Sequence, residues 1–258
     1  MTASSQTREA LKISVVTAVF NSVSTIDQAI RSVESQVGAN VEHIVVDGAS
    51  SDGTLAILLD RRESISVLVS EPDHGIYDAL NKGIALATGD VVGFLHSDDL
   101  YADEHVLARI AAAFENSDVD AVYGDLDYVQ RCRPDRVLRQ WRSGMFPPRA
   151  LSTGWMPPHP TLYLRRELYA RLGNFDTAYR IASDYEFMLR LLSDPRVKVV
   201  YLPEVFVRMR MGGASNRSLS NILRKSREDY KALRSHRVGG LIALALKNFR
   251  KLPQFFPK

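Results

Sequence analysis

The chain is poor in cysteine and has no long hydrophobic run. Cys132 is the one cysteine among 258 residues, which excludes an internal disulfide and a thiolate metal cluster. No stretch approaches the roughly 20 apolar residues that span a bilayer. The opening residues, MTASSQTREALK, lack the apolar core of a signal peptide. We therefore expect a cytoplasmic protein.

Two common nucleotide-binding signatures are also missing. No G-x-G-x-x-G follows the first apolar run, and no P-loop occurs in the sequence. The first absence excludes a dinucleotide-dependent dehydrogenase of the Rossmann type, and the second excludes a P-loop nucleotidase.

Acidic residues are scarce towards the C-terminus. From Val207 to Lys258 the chain carries 13 of its 33 Lys and Arg but only two of its 30 acids. Basic residues confined to a tail do not form the basic folded face of most nucleic-acid binders, so nucleic acid is not an expected partner.

The tail also contains amphipathic spacing and the greasy run LIALALKNFRKLPQFF. This run is too short to span a bilayer but suits its interface, on the inner face of the plasma membrane. The alternative is a helix packed on the body or on a partner chain, and the oligomeric state stays open.

Apolar runs alternate with segments of helical spacing. Strands are predicted at 13–20, 44–46, 66–69, 91–95 and 121–123, with helices at 24–37, 54–62, 76–87 and 104–115. This rhythm predicts an α/β fold with a mostly parallel central sheet flanked by helices. We divide the chain into a flexible N-terminus (1–11), a catalytic domain (12–212) and a basic amphipathic helical tail (213–258).

The second half of the chain is harder to interpret. The stretch 131–158 is basic and proline-bearing, and it is predicted to be a long irregular loop. A helix is predicted at 184–192, with Ser183 as its N-cap, followed by a last strand at 197–202.

Carboxylates follow two of the predicted strands. Asp47 comes after the second, and Asp98 and Asp99 come after the fourth. Ligands of parallel sheets bind beyond the carboxyl ends of the strands. Adjacent carboxylates at a buried strand end are costly unless paired, and Mg²⁺ or Mn²⁺ with a substrate phosphate would offset that cost. A solvated turn is the alternative.

Five motifs in order carry a family resemblance: ISVVTAVFN, VDGASSDGT, SEPDHGIYDALNKGIALATGD, FLHSDD and SDYEFMLRL. Together they resemble the family 2 glycosyltransferases, which are inverting, metal-dependent enzymes with the GT-A nucleotide-sugar-binding fold. The likeness is strongest to bacterial enzymes of exopolysaccharide, capsule or O-antigen synthesis. It implies transfer from a nucleotide-sugar, UDP-linked by family habit, to a glycan or polyprenyl-linked saccharide with the help of Mn²⁺ or Mg²⁺.

The resemblance also assigns roles on the donor side. Asp99 would contact the cation, Asp98 would approach the ribose or the metal shell, and Asp47 would accept a hydrogen bond from the base. The remaining donor-side candidates are Thr17, Ala18, Phe20, Asn81, Lys82 and Ser97. A turn-forming role for Asp47 and a solvated position for Lys82 are the alternatives.

An inverting transfer needs one base for the acceptor hydroxyl. The resemblance implies that Asp184 is this base, and the start of a helix favours a carboxylate there. The family has Glu where this chain has Ser183, which leaves Glu186 as a reserve candidate and helix capping as the alternative for Asp184. His159 and Trp155 are acceptor-side candidates, although a histidine beside prolines also fits a structural role.

Two other functions are alternatives. A sugar-nucleotide nucleotidyltransferase would carry a glycine-rich basic loop after the first strand, where this chain has TAVFNSVST. A catalytically silent, membrane-associated nucleotide-sugar-binding module would have no need of all four aspartates, Asp47, Asp98, Asp99 and Asp184.

Overall fold

The computed structural model of the chain describes residues 10–147, 150–212 and 219–249. The expected flexible N-terminus lies outside the described residues except for its last two, as do 213–218 and 250–258 of the tail. Within the described part, nine strands form one sheet in the order β3-β2-β1-β4-β8-β6-β9-β5, with β7 paired to β6. The strands are β1 (Lys12–Val19), β2 (Asn40–Asp47), β3 (Val67–Ser70), β4 (Val91–Phe94), β5 (Leu100–Tyr101), β6 (Ala121–Gln130), β7 (Arg133–Trp141), β8 (Tyr163–Arg165) and β9 (Val199–Arg210).

Helices pack on both faces of this sheet. They are α1 (Ile26–Glu34), α2 (Thr54–Asp60), α3 (Ile76–Leu86), α4 (Val106–Phe114), α5 (Glu167–Leu172), α6 (Ser183–Leu192), α7 (Leu219–Ser235) and α8 (Leu241–Phe249). Alternate residues of β1 point to opposite faces, as the period of a strand requires. Val16 packs in the cluster that includes α3 and α6, whereas Val15 packs in the cluster that includes α4.

The first four strands in the spatial order of the sheet, β3, β2, β1 and β4, run parallel to one another. This arrangement confirms the α/β class. β1 pairs in parallel with β2 and β4, and β2 pairs in parallel with β3. Beyond β4 the sheet is mixed, because β8 runs antiparallel to both β4 and β6 while β9 runs parallel to β6. The carboxyl ends of β1, β2 and β4 therefore lie at one edge.

The predicted loop at 131–158 was wrong in its first part. β7 (Arg133–Trp141) forms an antiparallel hairpin with β6, and β9 continues to Arg210, well past the predicted end at Leu202. Among the described strands, β7 pairs only with β6, and it is largely exposed. An exposed edge strand needs no apolar face and tolerates Pro134, so its sequence shows no strand signal.

The described part of the tail packs on the body. Ala232 and Leu233 of α7 and Ala243 of α8 are buried in the same apolar cluster as α6. A buried ion pair of 2.7 Å joins Lys247 Nζ of α8 to Asp229 Oδ2 of α7. This is the packed arrangement that the sequence left open beside interfacial binding. Among the described helices, none combines the length and apolarity needed to cross a membrane.

Candidate active site

Asp47 is the last residue of β2 and is fully buried. Its Oδ1 accepts a hydrogen bond from the Ser50 hydroxyl at 2.5 Å, and its Oδ2 accepts one from the Ser70 hydroxyl at 2.7 Å. A carboxylate has about four acceptor positions, so one further donor can still bind. Asp47 is thus held rigidly at the sheet edge with acceptor capacity remaining.

The end of β1 supplies three candidates with different surroundings. Thr17 and Ala18 are buried within the strand, and the Thr17 hydroxyl lies 3.1 Å from His43 Nε2. Phe20 follows the strand, and 61% of its surface is exposed. Its ring borders the Cα of Gly48, so it lies beside the loop that follows Asp47.

Asp98 and Asp99 follow β4 and differ sharply in exposure. Asp98 is half-buried and lies 3.7 Å from Arg131 Nη1. Asp99 is only 1% exposed; its Oδ1 accepts the Arg210 backbone N–H at 3.2 Å, whereas its Oδ2 is buried with no hydrogen-bond partner. Burial raises the pKa of Asp99 well above its usual range, and the charge of Asp98 raises it further.

The unpartnered oxygen of Asp99 is the feature that fits a cation. A buried acceptor without a partner costs roughly 1–3 kcal/mol, so native structures rarely keep one. Within the described residues, no group of three or more His, Cys, Asp or Glu is placed to hold a metal ion. Two carboxylates match Mg²⁺ or Mn²⁺, which commonly complete their coordination with substrate phosphates and water. Asp99, with Asp98 beside it, therefore suits a cation bound together with a diphosphate.

Asp184 lies in the first turn of α6 and is half-buried. Its Oδ1 is 3.0 Å from the Tyr77 hydroxyl, which is also 2.8 Å from the Ile181 carbonyl oxygen. Ser183 is not the N-cap of α6, contrary to the sequence prediction. The cap position is Ala182, and the Ser183 hydroxyl donates instead to the Asp176 carbonyl.

A distant carboxylate takes the place of the predicted cap. Glu228 of α7 accepts the backbone N–H groups of Ile181 at 2.8 Å and Ala182 at 3.0 Å. An acidic group at a helix N-terminus is stabilising. The loop before Asp184 is therefore fixed by the C-terminal helices.

Two histidines lie within electrostatic reach of Asp184. The buried His159 ring stacks on Phe94 at 5.3 Å and lies 6.3 Å from the His96 ring. Burial lowers the pKa of His159 to about 4, although the charge of Asp184 opposes this shift. Burial also lowers the pKa of His96, against the charges of both Asp98 and Asp184. His96 is therefore within electrostatic reach of both carboxylates, and its Nδ1 is buried without a partner.

Comparisons with known proteins identify the family of this chain. The profile of the family described as Glycosyl transferase family 2 matches residues 14–173. The chain belongs to glycosyl transferase family 2. An uncharacterized glycosyltransferase of Mycobacterium tuberculosis (strain H37Rv) is 34% identical over 187 residues, which cover 69% of this chain and 68% of the relative. A PGL/p-HBAD biosynthesis glycosyltransferase of the same strain is 30% identical over 208 residues, with 79% and 78% covered.

Solved structures support the fold of this family 2 glycosyltransferase. S. aureus TarS 1-349 in complex with UDP-GlcNAc matches with a TM-score of 0.70 and 21% identity, covering 88% of this chain and 66% of that one. The mannosyltransferase PcManGT from Pyrobaculum calidifontis, in complex with GDP-Man and Mn²⁺, matches with a TM-score of 0.66 and 22% identity, covering 94% and 72%. The chain spans 43% of a longer TarS structure. These likenesses confirm the GT-A type of fold.

Two donor-side candidates of the glycosyltransferase are already engaged. The Asn81 side chain donates to the Phe175 carbonyl at 2.9 Å and accepts the Phe175 N–H at 3.0 Å. Lys82 Nζ lies 2.7 Å from Glu71 and donates to the Pro72 carbonyl at 3.0 Å. Asn81 fastens α3 to the loop before α6, and its nucleotide role stays a prediction, as does that of Lys82.

Glu186 and Trp155 are also held by neighbours. Glu186 is buried between Arg190 Nη2 at 2.7 Å and His236 Nε2 at 2.8 Å. Burial alone would raise the pKa of Glu186, but hydrogen bonds from His236 and Arg190 bring it below its usual value. Trp155 is buried and donates its indole N–H to the Ser143 carbonyl. The Trp155 side chain can therefore contact an acceptor only as part of the wall of the site.

Sequence reasoning missed Arg210 and Tyr77. Arg210 ends β9 beside Asp99, and Tyr77 holds Asp184 from α3. Tyr77 lies within one of the quoted motifs, although no role was assigned to it. The signal for Arg210 was weaker: it is a basic residue in the alternating run VFVRMR at the end of a strand.

Proposed function

We propose that this glycosyltransferase moves a sugar from a nucleoside diphosphate sugar, first of all a UDP-sugar, to a hydroxyl of a glycan or lipid-linked saccharide. The transfer is a single displacement that inverts the anomeric centre, and the product belongs to a cell-surface polysaccharide or glycolipid. The observation that carries the proposal is the buried, unpartnered oxygen of Asp99 at the sheet edge that also bears Asp47. The relative named for PGL/p-HBAD biosynthesis supports the acceptor class.

The donor side is formed by the ends of β1, β2 and β4. The fixed Asp47 carboxylate accepts an N–H of the base, and the exposed ring of Phe20 offers a face on which the base can stack. Asp99, with Asp98 beside it, would hold the divalent cation. When bound, the cation offsets the negative charge that develops on the departing diphosphate.

Asp184 performs the proton transfer. The acceptor hydroxyl gives its proton to Asp184 as its oxygen bonds to the anomeric carbon, and the bond from that carbon to the diphosphate oxygen breaks with its electron pair. Among the described contacts of Asp184, only Oδ1 has a hydrogen-bond partner, the Tyr77 hydroxyl. Tyr77 can thus orient the carboxylate while Oδ2 faces the hydroxyl. His159 and Trp155 remain proposed for the acceptor side of the site.

A donor screen tests this function. Release of nucleoside diphosphate is measured with Mn²⁺ across UDP-, GDP- and dTDP-sugars, with a panel of saccharide acceptors. We expect turnover with one nucleotide class, loss of turnover on chelation, and none in Asp99→Asn. The anomeric configuration of the product, read by NMR, should be opposite to that of the donor. Failure of every donor to bind in the presence of Mn²⁺ would refute the proposal, and retention of configuration would refute the single displacement.

The proposal includes contact with a membrane surface, where a lipid-linked acceptor would lie. Leu241 and Ile242 of α8 are 70% and 76% exposed, and Phe249 is exposed on the same helix. The basic residues of the tail complement an anionic bilayer.

Membership of family 2 argues against the nucleotidyltransferase alternative.

A further inference from the structure

Arg210 is buried in a position where arginine is uncommon. It is the last residue of β9 and is only 3% exposed, whereas arginine side chains mostly reach solvent. Its guanidinium contacts oxygens from three separate segments. Nη1 donates to the Asp98 carbonyl at 2.6 Å, Nε donates to the Arg131 carbonyl at 3.1 Å, and Nη2 donates to Gln28 Oε1 of α1.

The backbone of Arg210 makes a fourth contact, since its N–H donates to Asp99 Oδ1 at 3.2 Å. This bond occupies Oδ1 of Asp99. It leaves Oδ2, the buried oxygen without a partner, as the one available to a cation. Arg210 therefore contacts both members of the aspartate pair, through side chain and main chain.

The charge of Arg210 is not neutralised by a direct ion pair. All three acceptors of its guanidinium are neutral oxygens, and within the described part of the chain no carboxylate lies within ion-pair distance of it. Its charge acts instead at longer range on Asp99 and Asp98. A fixed positive charge beside two carboxylates offsets part of their mutual repulsion.

The aspartate segment is held from its other side as well. The Ser97 hydroxyl lies 3.0 Å from the Ser22 hydroxyl in the loop that leads into α1. Gln28, which accepts from Arg210, lies on α1 itself. The segment 97–99 is thus fixed between the loop after β1 and the end of β9.

We propose that Arg210 is a positioning residue for the cation and diphosphate of the donor. Its side chain fixes the Asp98 main chain, and its N–H fixes the Asp99 carboxylate. This inference rests on the proposed function, because it assumes that Asp99 holds the cation. Residues that orient metal ligands in this way typically change metal affinity or activity by about 10- to 100-fold when removed.

The test uses substitutions that separate shape from charge. Arg210→Met keeps the length of the side chain and removes the charge and donors, whereas Arg210→Lys keeps the charge without the planar fork. Gln28→Ala, at an exposed position, removes one acceptor without touching the core. The matched control is Arg165→Met, because within the described residues the Arg165 guanidinium also donates only to carbonyls, those of Val119 at 2.8 Å and of Phe114 and Asn116 at 3.0 and 3.2 Å.

Mn²⁺ binding is measured directly, by the loss of the free-ion EPR signal in the presence of UDP. We expect Arg210→Met to weaken Mn²⁺ binding by about tenfold or more, with Arg210→Lys between it and the parent and Gln28→Ala weakened a few-fold. Arg165→Met should lose thermal stability without a change in Mn²⁺ affinity. In the metal-free protein, amides of the segment 97–99 should exchange faster with deuterium in Arg210→Met but not in Arg165→Met.

Unchanged Mn²⁺ affinity in a folded Arg210→Met would overturn the inference. If that variant does not fold, parent-like Mn²⁺ binding in both Arg210→Lys and Gln28→Ala would overturn it equally. A parent protein that binds neither Mn²⁺ nor UDP would instead refute the proposed function, so the two failures are distinguishable.

Discussion

Asp184 and Glu186 are two residues apart on α6 but have opposite surroundings. The described contact of the Asp184 carboxylate is the neutral hydroxyl of Tyr77. Glu186 is buried and hydrogen-bonded to both Arg190 and His236, which keep its carboxylate ionised and occupied. A base must have an oxygen free to take a proton, so the surroundings favour Asp184 over the reserve candidate.

Substitution separates these two roles. Asp184→Asn should lower kcat by about 10²- to 10⁴-fold, the usual contribution of a general base, while Mn²⁺-dependent UDP binding stays within about twofold of the parent. Glu186→Gln should keep turnover and lower the melting temperature, because it breaks a buried pair. Turnover is read as nucleoside diphosphate release and binding by calorimetry. Loss of UDP binding in Asp184→Asn would demote that residue to a structural role.

His159 should not act as a titrating group near neutral pH. Because burial lowers its pKa to about 4, the ring is neutral from pH 5.5 to 8, and His159→Gln should keep the shape of the pH profile of kcat/KM there. Because the unfolded chain binds a proton near the ordinary histidine value of 6.5, His159 lowers the stability of the fold as pH falls from 6.5 towards 4. The melting temperature of the parent should therefore fall further than that of His159→Gln over this range. A profile that loses its acid limb in the variant would contradict this.

The aspartates at the ends of strands can be predicted from the sequence, whereas the residues that hold them in place cannot. Asp47, Asp98 and Asp99 follow apolar runs, and such runs reveal where a buried strand stops. Arg210 reaches Gln28 across 182 positions of sequence, and no local pattern encodes that contact. The sequence therefore indicates carboxylates at strand ends better than it indicates the groups that hold them in place.

Glu42 joins three elements beneath the sheet edge. It accepts from Lys12 Nζ at 2.7 Å, from the Ser14 hydroxyl at 2.6 Å and from the Thr88 N–H at 2.8 Å. Burial by itself raises the pKa of Glu42, but these hydrogen bonds outweigh burial and lower it to about 2. The ionised carboxylate thus ties β1 and β2 to the turn before β4.

Glu42→Gln should therefore destabilise the fold in a pH-dependent way. A carboxylate whose pKa falls on folding stabilises the protein fully above its unfolded pKa and ceases to do so as pH drops through the folded value. The difference in unfolding free energy between parent and variant should be largest at pH 7 and should shrink by up to about 3 kcal/mol as pH falls from 4.5 to about 2. Urea titration at several pH values measures it. A difference that does not vary with pH would exclude the carboxylate charge as its source.

At the scale of elements, prediction succeeded where local pattern decides. β1, β2, β4 and α3 were predicted within a few residues, because their apolar positions repeat with the period of the element. The hairpin of β6 and β7 was missed, since β7 depends on its neighbour for hydrogen bonds and shows no apolar alternation. The N-terminus of α6 was misassigned for a similar reason, because Glu228 supplies its acceptors from another helix.

The predicted division of the whole molecule into a body (12–212) and a tail (213–258) rests on the charge distribution of the sequence. The packing of the C-terminal helices does not follow it. α7 and α8 bury Ala232, Leu233 and Ala243 against the cluster that contains α6, and Glu228 fixes the loop before Asp184. The domain boundary near 212 stays a proposal. Because α7 and α8 pack on the body, we expect that their removal destabilises the residues before this boundary.

Truncation tests that statement. A chain that ends at Gly212 should melt at a lower temperature than the full chain and bind a hydrophobic dye, because the face of α6 loses its cover. Turnover should also fall, since the N–H groups of Ile181 and Ala182 lose Glu228 as their acceptor. Differential scanning fluorimetry measures the melting temperature, ANS fluorescence measures dye binding, and nucleoside diphosphate release measures turnover. A truncated chain with the melting temperature of the full chain would show that the C-terminal helices are separable.

The membrane proposal needs a sharper probe than truncation, because deleting the helices also damages the body. Leu241 and Ile242 are 70% and 76% exposed, so Leu241→Glu with Ile242→Glu should leave the melting temperature unchanged. Burial of each side chain in a bilayer interface contributes about 1.5–3 kcal/mol, so losing both should weaken partitioning by more than about 100-fold. Leu59→Glu on α2 is the matched control, since Leu59 is also an exposed leucine, 59% exposed.

The measurement is sedimentation of the full chain with vesicles of phosphatidylserine and phosphatidylcholine, compared with phosphatidylcholine alone. We expect binding to the anionic vesicles only, weakened by salt because the basic residues of the tail contribute to it. The double substitution should abolish this binding, and Leu59→Glu should keep it. If the double variant and the parent sediment alike, α8 does not contact lipid, and its exposed apolar face must serve another partner, with a second copy of the chain tested by light scattering.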